Sequence, residues 1–154
     1  MRTYFIPLGA GLALIVSAFL PWVVVDGVVH AGVPDTPGLW VIGLGLLAAT
    51  LAALSLITRR NSRHPLLVVG LVALGIMILA WRILPRLAGE HALTVSQATA
   101  IVYNVPAGDP PIALAGSGIY LGLVSATILV GFGLTIVVRR ASQPYAVAEA
   151  DDDV

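Results

Sequence analysis

The sequence predicts an all-α membrane protein: a bundle of four transmembrane helices, N-in/C-in, with a longer outer loop between helices 3 and 4. Three observations carry this expectation. Of 154 residues, 58% are hydrophobic and 10% charged, with mean hydropathy +0.99, too little polar surface to keep a soluble domain dispersed. The apolar residues gather into four runs, each near the roughly 20 residues that a helix needs to cross about 30 Å of hydrocarbon. The eight basic residues, all arginine, lie between these runs or at their ends.

The first run covers about 4–25. Arg2 before an apolar stretch resembles a secretory signal, but the run is too long and no Ala-x-Ala-like site interrupts Pro21-Trp22-Val23-Val24-Val25, so a retained span is expected. Pro7 and Pro21 are tolerable near the ends of its helix. The second run covers about 38–58, the third about 66–84 and the fourth about 116–138. Continuous runs of this length without alternation can satisfy their backbone in lipid only as helices. Together, residues 1–140 form the transmembrane domain.

Orientation follows from the short loops, since arginine near a span end stays on the cytoplasmic side. Arg2, Arg59, Arg60, Arg63, Arg139 and Arg140 all fall on one side if there are four crossings. The other side receives Arg82 and Arg86 with Asp26, Asp35, Glu90 and Asp109. Trp22, Trp40 and Trp81 fall near outer span ends, as interfacial anchors would. All-arginine basic usage with abundant Ala, Gly, Leu and Val suits a GC-rich bacterial genome, so the expected location is a bacterial cytoplasmic membrane, with multi-pass topology and cytoplasmic termini.

Arg59–Pro65 predicts a tight hairpin, with Pro65 in the first turn of the third helix. The first outer loop, Asp26–Pro37, reads as turns with room for a short hairpin, from Gly27, Gly32, Pro34 and Pro37. The second outer loop, 85–115, is the long polar-containing segment. Within it His91–Tyr103 reads as a short helix with Leu93, Ala100 and Ile101-Val102 on its apolar side, and a strand over Ala100–Val105 competes. Pro106, Gly108, Asp109, Pro110 and Pro111 make a rigid return. Residues 141–154, ending in Glu149 and Asp151–Asp153, read as a disordered acidic cytoplasmic tail.

The spans hold no acid, lysine or histidine deep in the hydrocarbon, which argues against an ion- or proton-coupled pathway. His30, His64 and His91 lie in loops, away from where a bundle would ligate haem. The chain has no cysteine, which removes disulfides and thiol chemistry. Ser17, Ser55, Ser125, Thr50 and Thr127 have no base near them in sequence, and Glu90 beside His91 diverges on a helix. No catalytic residue, cofactor or metal is therefore expected. Candidate outer-face interaction residues are Arg82, Asp26, Asp35, Glu90 and His91, with Arg82 otherwise read as snorkelling to the interface. Small residues recur every four positions: Gly118, Gly122 and Ala126; Gly9, Ala13 and Ser17; Gly45, Ala49 and Ala53. Such stripes let helices approach closely in lipid.

Leu20-Pro21-Trp22-Val23 closing the first span and Gly116-Ser117-Gly118-Ile119-Tyr120-Leu121 opening the last resemble small bacterial, often actinobacterial, four-span integral membrane proteins. The resemblance implies the span layout and carries over no catalytic residue. The function expected is that of a non-enzymatic accessory, interaction or scaffold component. Its partners would be the lipid bilayer and other membrane proteins or itself, and no nucleic acid. The alternatives are a small transporter or channel-like protein for a neutral or lipidic solute, and a membrane enzyme acting on lipid-linked substrate at the outer interface through Glu90 or His91.

Overall fold

The computed structural model describes residues 4–58, 63–106 and 109–141. Among these residues it is mostly helical, with α1 (Phe5–Phe19), α2 (Thr36–Thr58), α3 (Arg63–Tyr103) and α4 (Ser117–Ala141). Three of the four helices, α2, α3 and α4, are long and apolar enough to cross a membrane, while α1 is a shorter apolar helix. Arg2, Arg59, Arg60 and the acidic tail 142–154 lie outside the described residues.

The all-α expectation is corrected by a small antiparallel sheet of β1 (Pro21–Val25), β2 (Val28–Ala31) and β3 (Ala113–Ala115), in the order β2-β1-β3. The first apolar run is therefore not one helix over 4–25. Its helix ends at Phe19 because Pro21 clashes with a helical Leu20, which is extended at φ −83°, ψ 163°. Beyond it, the β-branched Val23-Val24-Val25 suit a pleated strand. Asp26 and Gly27, at φ +48° and +83°, join Val25 to its partner Val28 as a two-residue hairpin loop with both central residues left-handed. That geometry selects Asp-Gly, because Gly has no Cβ penalty and Asp tolerates the region.

The register shifts between Pro21 and Val23, so Trp22 occupies a bulge. A bulge breaks the alternation of side chains along a strand, and the consecutive Trp22 and Val23 are both buried. Trp22 is 2% exposed, which corrects its reading as an interfacial anchor. Its Nε1–H donates to the Ser17 carbonyl oxygen at 2.8 Å, one of the orphan acceptors at the end of α1. The next, on Ala18, takes the Val33 amide at 3.0 Å. Trp40, by contrast, is 64% exposed.

The second correction concerns 85–115. The third helix does not stop at Leu84 but runs through Pro85 for 41 residues, about 61 Å at 1.5 Å per residue. An internal proline removes one helical hydrogen bond, whereas Ala88 and Ala92 beyond it pack onto the core. Thr94, Ser96 and Thr99, which weigh against a helix in sequence, return their hydroxyls to the carbonyls of Glu90, Leu93 and Val95. The competing strand over Ala100–Val105 does not form. Instead the helix stops where Asn104 turns left-handed at φ +52°. The Val105 amide donates to the Ala100 carbonyl at 3.1 Å and that of Asn104 to Ile101 at 3.4 Å, a Schellman stop with Asn in the place usual for Gly.

In the bundle α1 packs between α2 and α4, and α4 between α1 and α3, with sparser contact from α2 to α3. The shared core comprises Leu14, Ala18, Trp22, Val41, Leu66, Ala73, Met77, Ile119, Ala126 and Leu129. Close approach of α1 to α2 goes through Gly11 rather than Gly9. A methyl group on Gly11 would sit 2.9 Å from the Ala49 amide nitrogen and one on Gly45 2.7 Å from Ile15, whereas nothing lies within 4 Å at Gly9. Gly118 faces Ser17 and Trp22, Gly122 faces Met77 and Ser17, and Ala126 is fully buried. Ala49 is buried and Ala13 half-buried.

Candidate functional site

The sheet closes one end of the bundle, and α3 passes alongside it, touching β1 and β3. The sequence there places its charges unevenly. Asp26 is structural: its carboxylate Oδ1 accepts the Ile112 amide at 3.0 Å, and its own amide donates to the Ile112 carbonyl at 3.2 Å. The hairpin turn is thereby tied to the segment entering β3, 86 residues away in sequence. The αL conformation of Asp26 turns both groups toward that segment, so one residue serves the turn and the tether.

The tethered segment forms one wall of an open cleft of about 390 Å³. Pro110, Pro111 and Ala113 face Pro85, Arg86, Gly89, Glu90 and Leu93 of α3 across it. Gly89 and Ala113 are close enough that a Cβ on the glycine would meet that of Ala113 at 3.5 Å, so small residues keep the cleft open. Three prolines and a helix make its walls stiff. Arg86 and Glu90 are exposed and stand one helical turn apart, about 5–6 Å between Cβ atoms. Among the described residues neither side chain has a hydrogen-bond or ion-pair partner. Arginine followed by glutamate is the less favourable order for an i,i+4 pair, which suits two charges that remain separate.

Of the residues singled out in the sequence, Glu90 lines this cleft and Asp26 holds its far wall. Arg82 is exposed one turn before Arg86, and His91 is exposed on an adjacent face of α3. Asp35 stands apart at the start of α2, where its carbonyl accepts the Leu39 amide at 3.2 Å. Among the described residues no three His, Asp or Glu side chains gather as a metal set. Sequence reasoning missed Arg86 and the wall of Pro110, Pro111 and Ala113. Arg86 was legible as the i−4 neighbour of Glu90 once the helix is carried through Pro85, but the wall depends on a contact across the chain.

Below the cleft on α3 lies an apolar groove of about 240 Å³. It is lined by Ile76, Leu79, Ala80, Ile83 and Leu84 with Pro37 of α2, where α2 and α3 touch only sparsely. At its other end, α3 carries Ile101, Val102 and Tyr103 at 81, 76 and 72% exposure, beside Val105. Against models of protein families, curated proteins and solved structures, the chain has no match.

Proposed function

We propose that the chain is a four-span, N-in/C-in protein of a bacterial cytoplasmic membrane. In this reading it works as a non-enzymatic accessory or scaffold component, presenting the far end of α3 to another membrane protein or to a second copy of itself. The observation that carries this reading is the length of α3. At about 61 Å it is twice the thickness of a hydrocarbon core, and it ends in an apolar cluster of Ile101, Val102 and Tyr103 that is exposed among the described residues. Contiguous exposed apolar side chains remote from a core mark association surfaces, and aromatic residues are enriched in such contacts.

Membrane placement is supported by the three long apolar helices and by α1 packing between two of them. At 15 residues, α1 rises about 22 Å, short of a full crossing. The strand that continues it, β1, is paired on both sides, so its backbone needs no water. The edges β2 and β3 do need it, which supports a sheet at the aqueous boundary.

The test is the assembly state in mild detergent. Native electrophoresis and crosslinking of the wild type are expected to give a complex that Ile101→Asp with Val102→Asp dissolves. A wild-type protein that is strictly monomeric and partner-free would overturn the reading. The sparse α2–α3 contact and the groove beside it favour a second reading, in which the chain handles a lipidic solute.

A further inference from the structure

We propose that the cleft between α3 and the Pro110–Pro111 segment is a binding site for a phosphoethanolamine lipid, with Arg86 holding the phosphate and Glu90 the ammonium. The inference rests on the membrane reading above. It begins with helical register: Leu79, Ile83, Arg86 and Glu90 stand at i, i+4, i+7 and i+11, which puts them along one side of α3. The first two line the apolar groove and the last two the cleft. One stripe therefore passes from an apolar groove to a cation and then to an anion, in the order in which a phospholipid presents its chain, its phosphate and its terminal amine.

The level agrees with the chemistry. The cleft begins at Pro85, directly after the apolar run that ends at Leu84, with the exposed Trp81 and Arg82 one turn before it. Tryptophan and arginine at a span end mark the headgroup layer. The volume of about 390 Å³ lies within the range of small-ligand sites.

The lining also selects among headgroups. Arg86 offers several N–H donors in a fork that suits phosphate oxygens. Glu90 accepts N–H donors, which a primary ammonium has and a quaternary one lacks. Choline is recognised by aromatic cages, and no aromatic side chain among the described residues lines this cleft. A purely anionic headgroup brings no cation to the Glu90 carboxylate, and its hydroxyls donate only uncharged, weaker hydrogen bonds.

Native mass spectrometry of the purified protein, titrated with phosphatidylethanolamine, phosphatidylcholine and phosphatidylglycerol of equal chain length, tests the site. The wild type is expected to retain phosphatidylethanolamine about threefold to fivefold over the other two, the scale of one exposed charge contact. Glu90→Gln should erase that preference, Arg86→Gln should weaken all three lipids, and Gly89→Leu should fill the cleft without touching either charge. Glu90→Asp and Arg86→Lys keep the charges and should keep part of the preference, which separates recognition from a folding defect. Equal retention of the three lipids by the wild type, or a preference that survives Glu90→Gln, would overturn the proposal. Soluble glycerophosphoethanolamine competing as well as the intact lipid would also overturn it, by reassigning the cleft to a free zwitterion. Carbonate extraction of membranes is the separate control: a protein that stays in the pellet but shows no lipid preference defeats only this inference, whereas release into the supernatant defeats the membrane reading itself.

Discussion

Trp22 is the residue on which the sheet end turns. Its indole fills the junction of α1, the sheet and α4, with Gly118 close on one side and Gly32 on the other. A methyl group on Gly32 would overlap the five-membered part of the ring, at Cε2, Nε1 and Cδ2, and a buried indole held by a 2.8 Å hydrogen bond has nowhere to move. Gly32→Ala is therefore expected to destabilise by about 1–3 kcal/mol, the usual range for overpacking, and to red-shift the fluorescence of the buried tryptophan. An unchanged melting temperature and spectrum would show that the loop yields instead. Asp26 separates two causes in the same way. Asp26→Asn keeps an acceptor for the Ile112 amide and the tolerance of positive φ, and should be close to neutral. Asp26→Ala loses both, at about 2 kcal/mol from the left-handed backbone and the lost bond together. Equal melting temperatures for the two variants would show that neither feature matters.

At the scale of elements, legibility depended on how local the deciding interaction was. The extents of α2 and α4 follow from continuous apolar runs, and 38–58 and 116–138 agree with Thr36–Thr58 and Ser117–Ala141. The hairpin was also written in the chain, as three valines, Asp-Gly and two more valines, but hydropathy absorbed the first three into a span. Period and turn chemistry at Pro21 and Asp26-Gly27 outrank apolarity there. The extension of α3 was harder to read, because Pro85-Arg86 looks like a helix end and the residues that reward continuation, Ala88 and Ala92, do so by packing on a core assembled from distant segments. Asn104 with Pro106 was the local sign of the true stop. The cleft shared this fate: Glu90 was visible as a charge, but its wall was not. Pro85 gives the element-scale prediction. Because the helix runs through it, Pro85→Ala should restore the missing hydrogen bond to the Trp81 carbonyl and raise stability by up to about 3 kcal/mol, with helix content by circular dichroism preserved. Unchanged or lowered stability would mean that the proline relieves a bend that packing requires.

For the whole molecule, the decisive quantity is sidedness, and charge and architecture bear on it separately. Arginines flank the chain's ends and the α2–α3 connection, while the sheet and the projecting part of α3 share the opposite end of the bundle with four acids and two arginines. Under the proposed four-crossing arrangement, retention of arginine on the cytoplasmic side predicts that the sheet end faces outward. The absence of native cysteine makes this directly measurable, since each introduced thiol is the sole target in its variant. Val28→Cys on the hairpin and Thr99→Cys on α3 both replace exposed side chains and should react with a membrane-impermeant maleimide in intact cells. Ser62→Cys, between α2 and α3, should react only after permeabilisation. Labelling of Val28→Cys and Thr99→Cys from opposite sides would break the four-crossing arrangement, because both positions belong to one end of the bundle. Reversal of all three would keep the fold and invert the molecule, placing the apolar tip of α3 in the cytoplasm among a different set of partners.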